Sequence, residues 1–325
     1  MWLIRITLFS GLFLFFNSLA QAVALPGPLV ETDWLAAHRG DVVLLDVRAN
    51  TAKYTRKPRY KKDKKTGKQK LVAVGGHIPG AVLIDYKKVR ATRTINGRKV
   101  TRLIPERPAF ARLMQAAGVN QDSVIVITSA GESNHDMFMA TRLYWQLKYF
   151  GHDQVAILNG GIAQWLLDGR PISSKPVKVK AGNWRGGPER RELLALSEDV
   201  AAVAGKGRVQ LVDTRPLSQY FGTYRKGYVY ARGHIPGAKP LPNELLTNPK
   251  LPARFLPVDE VRTLAKELGI DPAAPTITYC NSGHLASGSW FIFSELMGNP
   301  KVRLYDGSMH QWTLEKRPVR AMKLE

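Results

Sequence analysis

The six residues GHIPGA, Gly76–Ala81, occur a second time as Gly233–Ala238, 157 positions further along the chain. An apolar run that ends in Asp-x-Arg precedes each copy: VVLLDVR at Val42–Arg48 and VQLVDTR at Val209–Arg215. The order of the motifs is the same both times, although the first copy carries ten more residues between them. A motif order that repeats in this way indicates an internal duplication.

A third match follows each copy of GHIPGA. Asn159–Gly161 stands four residues before Trp165, and Asp306–Ser308 stands four residues before Trp312. A chain of 325 residues is long enough for two hydrophobic cores of ordinary size. We therefore expect two tandem domains of one fold, each with its tryptophan in the core.

Short apolar runs alternate with helical patterns in both copies. Strands are predicted, as equivalent pairs, at Val42–Asp46 and Gln210–Asp213, Val124–Thr128 and Thr276–Tyr279, and Val155–Leu158 and Val302–Tyr305. Helices are predicted at Phe110–Ala117 and Val261–Leu268, which end at the cap glycines Gly118 and Gly269, and at Met137–Phe150 and Leu285–Met297. This alternation predicts an α/β fold in which each domain has a mainly parallel sheet flanked by helices.

The N-terminus has the layout of a signal peptide. Arg5 precedes the apolar run Leu8–Phe16, and small residues in Ser18–Ala24 suit cleavage after Ala22 or Ala24. We expect residues 1–24 to be removed on export to the periplasm, with an uncleaved membrane anchor as the alternative. The remaining chain then divides into a domain at 25–175, a Pro- and Gly-containing linker at 176–191 and a domain at 192–325.

Cys280, in the stretch ITYCNSGHLAS, is the only cysteine in the chain. The segment Gly118–Ser129 aligns without a gap to Gly269–Cys280, so Ser129 occupies the position of Cys280 in the first copy. A thiol is a far better nucleophile than an unassisted serine hydroxyl. The second domain is therefore the candidate chemical domain, and the first is expected to be non-catalytic.

The predicted setting of Cys280 suits an anion. A strand ends at Tyr279 and a helix is predicted a few residues later, so the intervening amides surround a small concavity at a helix N-terminus. Such a concavity stabilises negative charge and favours the thiolate form of a cysteine. Gly283 permits the tight curvature. The alternative is an inert cysteine that simply fills the core.

The duplicated Asp-x-Arg, GHIPGA and glycine–tryptophan motifs, with one cysteine loop, resemble the rhodanese family. Over residues 28–320 the arrangement is similar to exported bacterial tandem thiosulfate and 3-mercaptopyruvate sulfurtransferases. The resemblance implies that the Cys280 thiolate takes a sulfane sulfur from an anionic donor as a persulfide and passes it to a thiol or cyanide, without a cofactor. It further implies that the amides of the loop cradle the sulfur and that Arg215 steadies the donor; the loop residues are Asn281, Ser282, Gly283, His284 and Leu285.

The loop departs from the family's donor signatures. Thiosulfate enzymes tend to have basic residues after the cysteine and mercaptopyruvate enzymes tend to have Gly-Ser-Gly, whereas this loop is Asn-Ser-Gly-His. An arginine of the mercaptopyruvate enzymes is replaced by Gln219. Arg225 and Arg232 are candidates for its role. Thiosulfate, 3-mercaptopyruvate and polysulfide therefore all remain candidate donors.

The histidines allow two interpretations. His284 either orients substrate or helps to keep the thiolate, or it is a polar loop residue that points to solvent. His77 and His234 belong to the duplicated turns, and their presence in the copy without cysteine favours a structural role. One cysteine cannot build a thiolate cage, so we expect no metal site.

The charge of the chain is strongly positive, with a formal net charge of +22. The segment Lys53–Lys70 holds ten Lys or Arg residues and one acid, Asp63. Such a run is usually a mobile, solvated loop; alternatively it contacts anionic lipid or an acidic partner, or it steers anionic donors. No nucleic-acid-binding motif accompanies the charge, so we expect no nucleic-acid partner.

Two other functions compete with sulfur transfer. A phosphatase on the same scaffold needs Cys-x5-Arg for bidentate recognition of phosphate, but Ala286 stands at that position. A non-catalytic sulfur carrier or protein-binding module needs only the intact loop, and it remains the main alternative.

Overall fold

The computed structural model describes residues 23–322, so the predicted signal peptide lies almost entirely outside the described residues. Within the described part, the first copy holds strands β1–β9 and helices α1–α4. The strands are β1 Leu29–Val30, β2 Val43–Arg48, β3 Arg59–Lys62, β4 Gln69–Ala73, β5 Val82–Asp85, β6 Ala91–Ile95, β7 Arg98–Leu103, β8 Ile125–Thr128 and β9 Val155–Leu158. The helices are α1 Thr32–His38, α2 Arg107–Ala116, α3 Asn134–Tyr149 and α4 Gly161–Leu167.

The second copy repeats this order with fewer strands. They are β10 Leu194–Ala195, β11 Gln210–Asp213, β12 Lys239–Pro240, β13 Thr276–Tyr279 and β14 Val302–Tyr305. The helices are α5 Ser197–Val203, α6 Leu217–Tyr220, α7 Val258–Glu267, α8 His284–Phe291 and α9 Ser308–Leu314. No helix of the described 300-odd residues is long and apolar enough to cross a bilayer.

Each copy forms one five-stranded parallel sheet, and the two sheets have the same strand order. The first runs β1-β9-β8-β2-β5, and the second runs β10-β14-β13-β11-β12. All four residues of the central strands β8 and β13 are buried, as expected for parallel sheets covered by helices on both faces. The α/β fold with two tandem domains is confirmed.

The predicted elements differ from the observed ones mainly at their ends. Helix α2 begins at Arg107, three residues before the predicted start, because Pro108 favours the first helical turn. The predicted helix Leu285–Met297 is divided: α8 ends at Phe291 and a π-helical turn, Ile292–Leu296, continues it. Gly118 and Gly269 have φ of +78° and +69°, as their predicted cap positions require.

The two domains share one core, which is built around α3 and α8. Phe138 of α3 lies against Gly288 of α8, where a Cβ would stand 2.5 Å from the phenyl ring. Thr141 and Ser287 are joined by a hydroxyl–hydroxyl hydrogen bond of 2.8 Å. Helix α8 is buried from Leu285 to Phe291 because one face covers its own sheet and the other packs on the first domain.

The GHIPGA turns are structural elements of each domain. The ring of His77 stacks on Tyr54 with centroids 3.9 Å apart, and His234 stacks on Tyr220 at 3.8 Å. Both histidines also pair through their backbone with the chain segment that leaves the domain, at Ser173 and Arg320. Trp165 and Trp312 are buried as predicted.

The basic segment is a β-hairpin rather than an irregular loop. Strand β3 pairs with β4 in antiparallel fashion. The turn between them is ordered by Asp63, whose carboxylate accepts hydrogen bonds from the amides of Lys65 and Thr66. The lysines and arginines of the two strands are exposed.

A second hairpin, β6–β7, was not predicted. Its turn residues Asn96 and Gly97 have φ of +47° and +75°, the left-handed pair that two-residue hairpins favour. The expected linker contains no regular element through residues 174–190. It is nevertheless anchored to the first domain by Trp184, which is fully buried against Phe110.

Candidate active site

Cys280 directly follows β13, at the carboxyl end of the central strand of the second sheet. Its side chain is 1% exposed. Ser308 at the start of α9 holds the loop in place, since its hydroxyl accepts hydrogen bonds from the amides of Cys280 and Gly283, both at 3.1 Å. The carbonyl of Cys280 in turn accepts from the amide of Met309. Two neighbouring strand ends thus fix the cysteine loop, as parallel sheets allow.

The loop bends at Gly283, which precedes the first residue of α8 and has φ of +68°. A Cβ at Gly283 would lie 2.4 Å from Arg142 and 2.7 Å from Asp306, so both the conformation and the space require glycine. Within the described chain, the amides of Asn281, Ser282, His284 and Leu285 donate to no acceptor. These amides are therefore not used by the described chain itself, and their role in binding an anion stays a prediction.

The equivalent loop of the first copy is closed by its own side chain. Ser129 follows β8 as Cys280 follows β13, and its carbonyl likewise accepts from the first turn of a helix, at Ile162. Here, however, the carboxylate of Asp136 accepts hydrogen bonds from the amides of Glu132 and Ser133. An internal carboxylate thus occupies helix-terminal amides of the first copy. That the first copy is non-catalytic stays a prediction.

Gln219, the position where an arginine was expected from mercaptopyruvate enzymes, serves the loop directly. Its side-chain oxygen accepts a hydrogen bond of 2.8 Å from the amide group of Asn281. The remaining side-chain oxygen of Asn281 is buried and has no partner in the described chain. Gln219 therefore orients Asn281 and adds no charge to the site.

Arg215 is buried, and its guanidinium group is engaged elsewhere. It donates to both carboxylate oxygens of Asp213 and to the carbonyl of Gly233. Burial lowers the pKa of Arg215, but Asp213 more than offsets this, so that the net pKa is raised. Arg48 makes the same contacts to Asp46 and Gly76 in the copy without cysteine. In both copies, therefore, the arginine connects the end of its strand to the GHIPGA turn.

Arg225 and Arg232 lie on the exposed loop before the second GHIPGA turn. Arg225 donates to the carbonyl of Val229, and Arg232 donates to the carbonyls of Gly222 and Thr223. No hydrogen bond joins either side chain to residues 280–285 in the described chain. The structure does not bring these two arginines to the cysteine loop, because they close their own surface loop.

His284 points toward the first domain rather than to solvent. Its Nε2 donates a 3.0 Å hydrogen bond to the carbonyl of His135, since a carbonyl oxygen can only accept. The imidazole ring also lies 5.0 Å from the ring of Tyr86. Burial, with the nearby Arg90, holds the pKa of His284 well below its usual value. The imidazole is therefore neutral near pH 7.

The first domain supplies one wall of the site, which the sequence did not reveal. Arg142 of α3 forms a buried ion pair with Asp306, with 2.6 Å between Nη1 and Oδ1, and also donates to the carbonyl of Gly283. Tyr86, which follows β5, is 3% exposed. Burial raises the pKa of Tyr86 to about 12, and the neighbouring Cys280 contributes to the rise.

Tyr228 of the second domain also lies near Cys280. Burial raises the pKa of Tyr228, the neighbouring Cys280 contributes to the rise, and Ser282 lowers it. The backbone carbonyl of Tyr228 accepts from Nδ1 of His310, whose Nε2 accepts from the amide of Thr101 in β7. This chain of contacts joins the unpredicted β6–β7 hairpin to the second domain beside the cysteine.

A family model described as the rhodanese-like domain matches the chain twice, over residues 31–168 and 196–315. The two matches cover the two sheets and their helices, except for the short first strands β1 and β10. They leave the segment between them, with the buried Trp184, outside the repeated unit.

The chain is similar to several named proteins over most of its length. It is 31% identical over 298 residues to the sulfur carrier protein TtuD of Thermus thermophilus, covering 88% of this chain and 94% of that protein. It is also 31% identical over 299 residues to a Mycobacterium leprae protein named as a thiosulfate sulfurtransferase, SseA, covering 90% of each.

Solved structures show the same architecture. The 3-mercaptopyruvate sulfurtransferase-type structure of SseA from Escherichia coli is 26% identical, with a TM-score of 0.68 and coverage of 87% of this chain and 98% of that one. The structure of Tum1 from Saccharomyces cerevisiae, at 21% identity and a TM-score of 0.72, shares the fold over 92% of this chain.

Proposed function

The chain belongs to the family of rhodanese-like domains and is a sulfurtransferase, and from this premise we propose that Cys280 carries sulfane sulfur as a persulfide. The sulfur comes from a small anionic donor, for which thiosulfate, 3-mercaptopyruvate and polysulfide are the candidates. It passes to a thiol or to cyanide.

The first half-reaction balances without an external electron carrier. With thiosulfate as donor, the electron pair of the Cys280 thiolate forms a new sulfur–sulfur bond to the sulfane sulfur. The old sulfur–sulfur bond breaks and its electron pair leaves with sulfite. The negative charge stays on the outer sulfur of the persulfide, within reach of the unoccupied loop amides.

The second half-reaction restores the thiolate. A thiolate or cyanide attacks the outer sulfur, and the sulfur–sulfur bond to Cys280 breaks with its electron pair on the cysteine. An organic persulfide or thiocyanate leaves. The amides of Asn281, Ser282, His284 and Leu285 face negative charge in both directions, so one cradle serves both steps.

The observation that carries this proposal is the contrast between the two loops. In the first copy the helix-terminal amides are occupied by Asp136, and a serine follows the strand. In the second copy a thiol follows the strand, and the amide of Gly283 donates to the hydroxyl of Ser308. The amides of Asn281, Ser282, His284 and Leu285 donate to no acceptor in the described chain. The second loop is thus built to receive an anion beside a nucleophile.

The same geometry also serves a carrier that hands its sulfur to a protein. The name of the Thermus thermophilus relative, sulfur carrier protein, favours this as the second candidate. Both candidates require a Cys280 persulfide. They differ in the preferred acceptor, since a carrier passes its sulfur faster to a protein thiol than to a small thiol or cyanide.

We further propose that the protein acts in the periplasm after its signal peptide is removed, as the layout of residues 1–24 suggests. The exposed cations of the β3–β4 hairpin favour weak contact with an anionic surface there. Fractionation of cells that express the full chain, with N-terminal sequencing of the mature protein, tests the location.

Intact mass spectrometry tests the sulfur chemistry. The protein is incubated separately with thiosulfate, 3-mercaptopyruvate and polysulfide, and then with cyanide. We expect a gain of one sulfur atom with at least one donor and its loss on cyanide treatment. Cys280→Ser should gain none, whereas Ser129→Ala should behave as the wild type. An unmodified thiol with all three donors would contradict the proposal.

A further inference from the structure

Positive charge exceeds negative charge around Cys280, and the excess comes from the first domain. Arg142 is neutralised by its ion pair with Asp306. Arg90 and Arg102, in contrast, form no ion pair with any carboxylate of the described chain. Two guanidinium groups without a counter-charge near a buried nucleophile favour the binding of a negatively charged ligand.

These two residues, called here the arginine pair, are brought together by the β6–β7 hairpin. Arg90 directly precedes β6 and Arg102 is the penultimate residue of β7. Ala91 and Leu103, next to them in sequence, are partners across the hairpin, so both arginines lie at its open end. The hairpin thus sets the spacing of the pair, and the Thr101–His310 contact fixes its base against the second domain.

Each arginine lies over a tyrosine that borders the cysteine. The guanidinium carbon of Arg90 is 4.4 Å from the ring centre of Tyr86, and that of Arg102 is 4.0 Å from the ring centre of Tyr228. Such stacking holds a guanidinium by its face and leaves its N–H edge for hydrogen bonds. Nη1 of Arg102 donates to Oγ1 of Thr101 at 3.0 Å, and the other N–H groups of the two guanidinium groups are left for an oxyanion. The pair therefore presents donors from both sides of the site.

Stacking alone does not account for these residues, because it leaves buried polar atoms without partners. The hydroxyl of Tyr86 and Nε of Arg90 are both buried and have no hydrogen-bond partner in the described chain. Buried polar groups are nearly always paired. Arg102 also has φ of +68°, a conformation that a non-glycine residue adopts only when its surroundings impose it. Both features are typical of a ligand-binding site.

We propose that Arg90 and Arg102 bind the oxyanion group of the sulfur donor, with the Tyr86 hydroxyl as a third donor, while the sulfane sulfur faces Cys280. The proposal rests on the sulfurtransferase function above and names the part of the donor that is recognised. A sulfonate-type end, as in thiosulfate, and a carboxylate, as in 3-mercaptopyruvate, both offer the required oxygens.

This assignment gives the first domain a defined role in specificity. The second domain has an uncharged Gln219 beside the loop and keeps Arg215 engaged with Asp213. Charge recognition of the donor then comes across the domain interface from the arginine pair. A domain without a nucleophile is thereby part of the binding site.

The test compares Arg90→Gln and Arg102→Gln with Arg98→Gln, a matched control at the exposed tip of the same hairpin. Three donors are used: thiosulfate, 3-mercaptopyruvate and an uncharged organic trisulfide. Persulfide formation on Cys280 is followed by mass spectrometry. In each variant of the pair, the half-saturating concentration of at least one anionic donor should rise about tenfold or more, since a charge-assisted hydrogen bond is lost. Arg98→Gln, and all variants with the trisulfide, should stay within about twofold of the wild type.

A second readout separates this proposal from the transfer function. Thiosulfate and 3-mercaptopyruvate are titrated calorimetrically into Cys280→Ser protein with and without the arginine substitutions. Binding that is lost in Arg90→Gln and Arg102→Gln supports the arginine pair even if the wild type transfers no sulfur. Unchanged binding and unchanged persulfide rates for both anionic donors, in variants with wild-type melting temperatures, would overturn it.

Discussion

Arg142 of the first domain and Asp306 of the second form a buried ion pair directly beneath Gly283, with 2.6 Å between their nearest atoms. Asp306 also accepts a 2.6 Å hydrogen bond from the amide of Ile104, again across the domain interface. Domain packing and the shape of the cysteine loop are therefore fixed by the same two side chains.

Breaking this pair should cost both stability and activity. Asp306→Asn leaves the Arg142 guanidinium buried without a counter-charge, and we expect a loss of about 3–5 kcal/mol in the free energy of unfolding. Urea unfolding followed by tryptophan fluorescence measures it. The control is Asp259→Asn, which removes an exposed ion pair with Arg262 and should change little. Equal stability of the two variants would contradict the structural role of Asp306.

Replacement of Gly283 should distort the cysteine loop. Gly283→Ala introduces a methyl group 2.4 Å from Arg142 at a φ of +68°, so we expect about a tenfold or greater loss in the rate of persulfide formation. Gly269→Ala is the matched control. Gly269 has φ of +69°, and a Cβ there would have nothing within 4 Å. Gly269→Ala therefore adds only backbone strain, about 1 kcal/mol, and should keep the wild-type rate. Similar rates in both variants would be inconsistent with the crowding.

Acid should destabilise the protein through its histidines. Burial lowers the pKa of five of them below the unfolded value of 6.5: His135, His152, His234, His284 and His310. The unfolded chain then binds more protons than the native chain below about pH 6.5, so stability falls as the pH is lowered through that value.

Urea unfolding at about pH 7.5, 6.5 and 5.5 measures this slope. His284→Gln should show a shallower loss than the wild type, because burial and the nearby Arg90 hold the pKa of His284 well below its usual value. A slope that His284→Gln leaves unchanged would show that the imidazole is not held neutral by its surroundings.

The basic hairpin should bind anionic membranes without serving catalysis. Its exposed lysines can be neutralised together by substitution with Gln, at Lys61, Lys62, Lys64, Lys65 and Lys68. Each cation near an anionic surface contributes about 1 kcal/mol, so wild-type protein should co-sediment with phosphatidylserine-containing vesicles at low salt and the variant should not.

The rate with thiosulfate should be the same within about twofold in both proteins, which separates surface contact from donor steering. Removal of the whole insertion is a poorer test. It would also delete Tyr54, which is buried and stacks on His77. Failure of the wild type to bind the vesicles would contradict the proposed surface contact.

The repeat made most of the fold predictable from sequence. Once Ser129 and Cys280 were aligned, the strands before them followed, because both are apolar runs that end at an identical offset. The β6–β7 hairpin is not predicted by the repeat, because the second copy has no equivalent of it. Its Asn96–Gly97 turn is nevertheless a strong local signal for a hairpin.

The wall that the first domain supplies was beyond the reach of the sequence. Tyr86, Arg90 and Arg142 border the site of the second domain because the two domains pack together, and nothing in their local sequence specifies that contact. Conversely, their charge makes Arg225 and Arg232 candidates for donor binding, yet their guanidinium groups donate to carbonyls of their own loop. Hydrogen-bond satisfaction, which sequence does not show, decides which arginine is free.

The most direct test of the central claim is a single-turnover measurement of sulfur on Cys280. Protein is loaded with a sulfane donor, freed of excess donor, and mixed with cyanide, while the persulfide is mapped to its peptide and thiocyanate is quantified. We expect one sulfur per chain on the peptide that contains Cys280, lost as an equal amount of thiocyanate appears. Thiocyanate formed at a comparable rate by Cys280→Ser protein would contradict the account.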